Sequence, residues 1–183
     1  MYDSDVGNSM SSMDHLKKYI RDIEDFPEKG ILFRDITPLL LSPEAFNEAL
    51  SNLEDILVKS HCEVVAAIES RGFIFAAPLA SRLNMPLVPI RKPGKLPFDK
   101  FSVDYQLEYG SGTLEIHKDA ILNGQKVFLL DDILATGGTL GAAASLIKLS
   151  GGQLVGAGVV IELAELNGRS VIGVNELYSL IKY

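Results

Sequence analysis

Short apolar runs that each end in a polar or glycine-rich turn and then open a helical stretch constrain this chain most. EVVAAI (63–68) runs into ESRG, then the helical FIFAAPLASRL (73–83), then PLVPIRK (86–92). KVFLLDD (126–132) runs through a Gly-Gly turn into GTLGAAASLIKLSGG (138–152), then LVGAGVVIEL (154–163). Runs without polar alternation suit strands covered on both faces. A helix between two of them makes a βαβ unit. Two such units predict an α/β fold, an open and mostly parallel sheet flanked by helices. Gly151 and Gly152 mark the expected end of the second helix. SVIGV (170–174) and LYSLI (177–181) each read as a strand.

Ahead of these units, SMDHLKKYIRDIEDF has Leu16, Tyr19, Ile20 and Ile23 at helical spacing. FPEKGILFRDITPLLL breaks that pattern at Pro27 and Gly30, so it reads as loop or short strand. SPEAFNEALSNLEDILVKS is a helix with Ser42 as N-cap, Pro43 at its first position and a stripe of Phe46, Leu50, Leu53 and Leu57. Residues 1–12 are polar and unpatterned and are expected to be a flexible extension, with Met13 a candidate start. Residues 13–183 read as one domain. The segment 91–121 departs from the βαβ rhythm. It alternates into YQLEY and TLEIH around Gly110-Ser111-Gly112, a hairpin on a long loop. Excursions of that length are often lids.

Composition excludes several roles. The chain has 24 acidic against 17 basic residues, a net charge of −7, which disfavours broad nucleic-acid binding. There is no apolar run long enough to span a bilayer. One cysteine, Cys62, excludes an intrachain disulfide and a cysteine-based zinc site, and a buried, reduced thiol fits a cytoplasmic protein. His15, His61 and His117 have no metal-ligand spacing and read as structural or exposed.

The chemistry concentrates in VFLLDDILATGGTL (127–140). Asp131 and Asp132 are expected where a strand ends, the place where open α/β sheets bind ligands. Ala135, Thr136, Gly137, Gly138 and Thr139 then turn into a helix, whose N–H groups and dipole favour a phosphate. No Gly-Lys-Ser/Thr follows, so this is not a nucleoside triphosphate loop, and no G-x-G-x-x-G supports a dinucleotide fold. Two carboxylates would repel a phosphate sharing their cup, but they accept hydrogen bonds from hydroxyls. A ligand with a phosphate at one end and a diol beside it, such as ribose 5-phosphate, resolves the conflict. The alternative is a solvated acid pair beside a glycine turn.

This stretch resembles the phosphoribosyl-pyrophosphate (PRPP) signature of the type I phosphoribosyltransferases. The resemblance implies that Asp131 and Asp132 hold the ribose hydroxyls and that residues 135–139 hold the 5-phosphate. FPEKGILFRDITPLL (26–40), ESRGFIFAAPLA (69–80), IRKPGKLP (90–97) and YQLEYG (105–110) resemble the adenine-specific branch of that family. The resemblance runs from about residue 14 to the end of the chain. It implies the transfer of phosphoribose from PRPP to adenine, giving AMP and pyrophosphate, with magnesium carried in by PRPP and a homodimeric assembly.

The remaining roles follow from that resemblance. Glu69, Ser70 and Arg71 form a pyrophosphate turn with a non-proline cis peptide expected at Ser70–Arg71. An arginine beside free N–H groups suits a diphosphate, whereas the plainer alternative pairs Arg71 with Glu69. Arg91, Lys92 and Lys95 form a local basic patch for the pyrophosphate, some of it reaching across the dimer. Phe33 stacks on adenine while backbone groups of Leu32 and Arg34 read its edge. Glu108 takes the adenine proton and Tyr109 closes the site, which makes Glu108, Arg71 and Tyr109 the catalytic set. Two other readings stay open: a phosphoribosyltransferase for another base, and a ligand-sensing regulatory module on the same fold.

Overall fold

The computed structural model describes residues 13–106, 111–174 and 176–183. The expected extension at 1–12 lies outside the described residues, as do Glu108 and Tyr109 of the hairpin. The centre is a five-stranded sheet of β3 (Val64–Ile68), β4 (Leu87–Ile90), β7 (Lys126–Leu134), β8 (Gln153–Glu162) and β9 (Leu177–Lys182). Its order is β4-β3-β7-β8-β9 and every neighbouring pair is parallel. From β3 the chain crosses to β4 on one side, and later from β7 to β8 and β9 on the other. The order therefore reverses between β3 and β7, which opens a crevice at their carboxyl ends.

Helices cover both faces. α2 (Pro43–Ser60) and α3 (Arg71–Leu83) pack on one, and α4 (Gly138–Leu149) on the other. β7 shows why its apolar run is continuous: Phe128 and Leu130 enter the α2/α3 core, while Val127 and Leu129 enter the α4 core. Ser42 caps α2 as expected, accepting a hydrogen bond from the Ala45 N–H at 3.3 Å. Leu50, Leu53 and Leu57 are buried beneath it. Cys62 is buried, and burial raises its thiol pKa.

Three local expectations fail. The helical spacing over 16–23 yields only a short 3-10 helix, Asp14–Tyr19, followed by β1 (Arg21–Ile23). β1 pairs antiparallel with β2 (Phe33–Asp35), where Arg21 meets Asp35 and Arg34 meets Asp22 as cross-strand ion pairs. Those charge pairs and the sheet ladder outweigh a helical preference that only Leu16 and Ile20 support by burial. α1 (Thr37–Leu41) follows where loop or short strand was expected, because Pro38 suits the first turn of a helix and Leu39 is buried by it. SVIGV is not a strand: Arg169–Ile172 forms a one-turn helix, α5, ended by Gly173 at φ +67°. β9 already occupies the sheet edge beyond β8, so Ile172 is buried in the α4 core instead. The hairpin forms as β5 (Lys100–Gln106) and β6 (Ser111–His117), antiparallel from Lys100↔His117 to Gln106↔Ser111.

Candidate active site

Residues at the carboxyl ends of β3 and β7, the N-terminal β1–β2 hairpin that forms a hood, and the β5–β6 hairpin surround one cavity of about 670 Å³. β3 contributes the Glu69-Ser70-Arg71 turn, β7 contributes Asp131 and Asp132, the hood contributes Phe33, and the hairpin contributes Tyr105 and Thr113. A second cavity of about 100 Å³ is cupped by residues 135–139. Asp131 and Thr139 line both, so the two spaces adjoin between those two residues.

The acids sit within β7 rather than at its tip. β8 continues to pair past them, through Ile133↔Ile161 and Leu134↔Glu162. On the other side the β3 ladder stops at Leu130, so the edge facing the crevice is open from Asp131 onward. Both carboxyls are buried, at 8% and 3% exposure. Asp131 Oδ1 accepts the Asp132 backbone N–H at 2.9 Å. Asp132 Oδ2 lies 2.7 Å from Arg71 Nε as an ion pair without an aligned hydrogen bond. Burial, and then the charge of Asp132, push the Asp131 carboxyl well above its usual pKa. Burial raises Asp132 as well, against the pull of Arg71. Two buried carboxyls in a cavity wall, held by one backbone N–H and one arginine, are acceptors that suit the hydroxyls of a ligand.

Two helix starts aim at the same crevice. α3 begins at Arg71 and α4 at Gly138, and neither Ser70 nor Gly137 caps its helix with a side chain. Uncapped first-turn N–H groups and the positive ends of two dipoles favour anions. Gly137 turns into α4 at φ +85°, a conformation open to glycine. Gly72 stands where an added Cβ would lie 3.0 Å from Asp131 Oδ1 and 3.1 Å from the Leu130 carbonyl oxygen, so glycine lets α3 approach the acid pair without displacing it. The sequence reading passed over Gly72; a glycine in the first turn of a helix is its signal.

The other assigned residues divide. Arg71 pairs with Asp132, not Glu69, and its guanidinium lies over the Phe33 ring, 5.1 Å from the centroid. Phe26 meets the same ring edge-on at 5.1 Å. Glu69 is instead gripped by Arg91, through Nε at 3.2 Å and a second nitrogen at 3.0 Å, and also accepts the Lys92 N–H. Arg91 holds its carboxyl below the usual pKa, and the Lys95 charge adds to this. Lys92 lines the cavity, whereas the Lys95 carbonyl accepts from Arg91. Leu32 lines a separate pocket with Glu24 and Asp25. Arg34 turns to Asp22 and to the Tyr183 ring, 3.7 Å away, so its side chain serves the hood. The non-proline cis peptide is Glu69–Ser70, one bond earlier than expected. β3 ends at Ile68 and α3 starts at Arg71, so the two linking residues carry the turn between them. Glu115 was missed: it is buried, and its Oε2 accepts the Gly94 N–H at 3.2 Å and meets Lys100 Nζ at 3.2 Å, fixing the basic loop to the hairpin.

Residues 43–179 match the family model for the phosphoribosyl transferase domain. An adenine phosphoribosyltransferase from Petrotoga mobilis is 51% identical over 168 residues, covering 92% of this chain and 97% of that protein. The crystal structure of adenine phosphoribosyltransferase from Thermoanaerobacter pseudethanolicus superposes with a TM-score of 0.90 at 48% identity, over 94% of this chain and all of that one. The Saccharomyces cerevisiae adenine phosphoribosyltransferase was crystallised with an imino-altritol bisphosphate and adenine. It gives a TM-score of 0.85 at 37% identity, over 91% of this chain and 97% of its own. The chain belongs to the phosphoribosyltransferase family and, within it, to the adenine phosphoribosyltransferases.

Proposed function

We propose that this chain is an enzyme of purine salvage that joins adenine to PRPP, giving AMP and pyrophosphate. One observation carries the placement of the sugar: the small glycine cup and the large cavity adjoin at Asp131 and Thr139. A ribose 5-phosphate laid across that junction puts its phosphate on the first turn of α4 and its 2- and 3-hydroxyls on Asp131 and Asp132. The diphosphate then points to the first turn of α3, Arg71 and Lys92. Arg91 acts through Glu69, whose carboxyl it holds. Adenine lies against Phe33.

The adenine nitrogen attacks the anomeric carbon as the bond to pyrophosphate breaks, and the adenine proton passes to Glu108. The buried acids favour the positive charge that develops on the sugar ring. Tyr109 and the hairpin exclude water, which would otherwise hydrolyse the activated sugar. Magnesium would come in with the diphosphate of PRPP rather than in a cage of protein ligands. When bound it would offset the negative charge of the leaving group, beside Arg71 and Lys92. A single domain over 13–183, a homodimer and a cytoplasmic location belong to the same proposal. The dimer rests on the family resemblance and the location on the single buried, free cysteine. No helix among the described residues is long and apolar enough to cross a membrane.

The protein mixed with adenine, PRPP and magnesium should release AMP. No AMP from folded protein would overturn the reading. A panel of purines ranked by kcat/KM should place adenine first. Glu108→Ala should lower kcat far more than it weakens PRPP binding, and an unchanged kcat would remove its assigned role.

A further inference from the structure

α5 is a single turn and too short to hold its own shape. Its leading residue, Gly168, nevertheless lies hard against the glycine cup. A Cβ at Gly168 would stand 2.2 Å from the Ala135 carbonyl oxygen and 2.9 Å from Gly137 N. A Cβ at Gly137 would stand 2.3 Å from the Gly168 carbonyl oxygen. The two backbones touch where no side chain fits between them. One turn into α4, Gly141 faces Val171 of α5 in the same way, though less tightly.

What holds α5 in that position is Arg169. Its Nε donates to Glu162 Oε1 at 2.5 Å, and one terminal nitrogen donates to Glu162 Oε2 at 2.7 Å and to Ser179 Oγ at 3.0 Å. The other terminal nitrogen donates to the Leu177 carbonyl at 2.7 Å. Ser179 donates to Glu162 Oε2 at 2.5 Å, and Lys182 stands 3.8 Å from the same oxygen. Glu162 ends β8, directly beside Leu134 of β7, the residue before the cup. Arg169 thus clamps α5 to two strands of the central sheet, using the fork geometry that a lysine lacks.

The geometry points to Arg169, locked on Glu162, as a positioning residue for the 5-phosphate cup. It presses the Gly168 backbone against Ala135 and Gly137 and so sets the shape that receives the sugar phosphate. This rests on the reading of residues 135–139 as that cup. Without the clamp the loop remains joined to β7 and α4 but samples several shapes, and binding must select one. The loss falls on the phosphate end of one substrate, while the adenine pocket is built from β2 and stays intact.

Steady-state kinetics and thermal melts of Arg169→Gln, Arg169→Lys, Gly168→Ala and Thr139→Val test this. Arg169→Gln should raise KM for PRPP about tenfold, with a matching loss in the affinity for ribose 5-phosphate, and leave KM for adenine nearly unchanged. Arg169→Lys keeps the charge but loses the fork, so it should fall between. Gly168→Ala displaces the cup without touching the ion pair and should reproduce the split even if Arg169→Gln folds poorly. A lower melting temperature with both KM values unchanged in the Arg169 and Gly168 variants would make the clamp merely structural and overturn the proposal. Thr139→Val separates the two levels. If it raises KM for PRPP while the Arg169 and Gly168 variants do not, the cup stands and the clamp falls. If it leaves PRPP affinity unchanged, the cup itself is misassigned and the clamp proposal fails with it.

Discussion

Two buried acidic sites lie on adjacent strands of the same sheet and have opposite fates. Glu162 on β8 is saturated: Arg169 forks it, Ser179 donates to it and Lys182 stands near. Asp131 and Asp132 on β7 are buried too, and the protein serves them with one backbone N–H and one arginine, whose N–H is not aligned on Asp132 Oδ2. The titration follows depth and partners together: the aspartates are more strongly desolvated than Glu162, and the charge of Asp132 raises Asp131 further. Burial would raise Glu162, yet Arg169 and Ser179 more than reverse it and leave the pKa lowered. Burial raises Asp131 and Asp132, and their partners do not reverse it. A buried acid with all its donors belongs to the architecture. A buried acid pair with fewer protein donors, in a cavity wall, has acceptor capacity to offer a ligand's hydroxyls.

The largest expected effect breaks the underserved pair. Asp131→Asn with Asp132→Asn should cost about 100-fold or more in kcat/KM. The melting temperature of the free protein should hold or rise, because a buried charge lacking donors is expensive. A large loss of stability with activity retained would reverse the assignment of the two sites.

Breaking the saturated site should do the opposite. Glu162→Gln leaves the Arg169 guanidinium half-answered and should cost about 2 kcal/mol, less than a fully buried pair because Arg169 is over a third exposed. Urea unfolding measures it. Any activity lost should appear in KM for PRPP rather than in adenine binding.

A smaller effect sharpens the contrast through pH. Glu162 has a lowered folded pKa, so its contribution is present above the usual glutamate value of 4.5 and is lost as pH falls below it. Asp131 and Asp132 have raised folded pKa values. Their protonated forms favour folding below the usual aspartate value of 3.8, and that contribution is lost as pH rises through the folded values. The two slopes oppose each other in the wild type. Replacing both aspartates with asparagine should remove the second, so stability of the variant should rise more steeply with pH. Parallel pH profiles for the two proteins would show that the aspartates are not perturbed.

The same contrast explains what was legible in the sequence. The sheet, α2, α3, α4, the acid pair and the glycine cup are local patterns: apolar runs, a Ser-Pro cap, and acids beside Thr-Gly-Gly-Thr. The partners of Arg169 could not be read, because they lie on β8 and β9 and meet it only after the chain folds. For the same reason the grip of Arg91, just past the end of β4, on Glu69 could not be read from the sequence. Arg21–Ile23 and Ser170–Ile172 were misjudged where a cross-strand ladder or an occupied sheet edge overruled local spacing. Gly72 and Gly168 were invisible as functional residues because their roles are distances to other elements.

The central claim is that Asp131 and Asp132 await the two ribose hydroxyls. Calorimetric titration of AMP and of 2′,3′-dideoxy-AMP, into the wild type and into the double asparagine variant, tests it most directly. Loss of the hydroxyls should weaken binding to the wild type by about 10- to 100-fold, the worth of one charged hydrogen bond or more. In the variant the two ligands should bind nearly alike. A hydroxyl penalty of the same size in both proteins would place the ribose elsewhere and contradict the account.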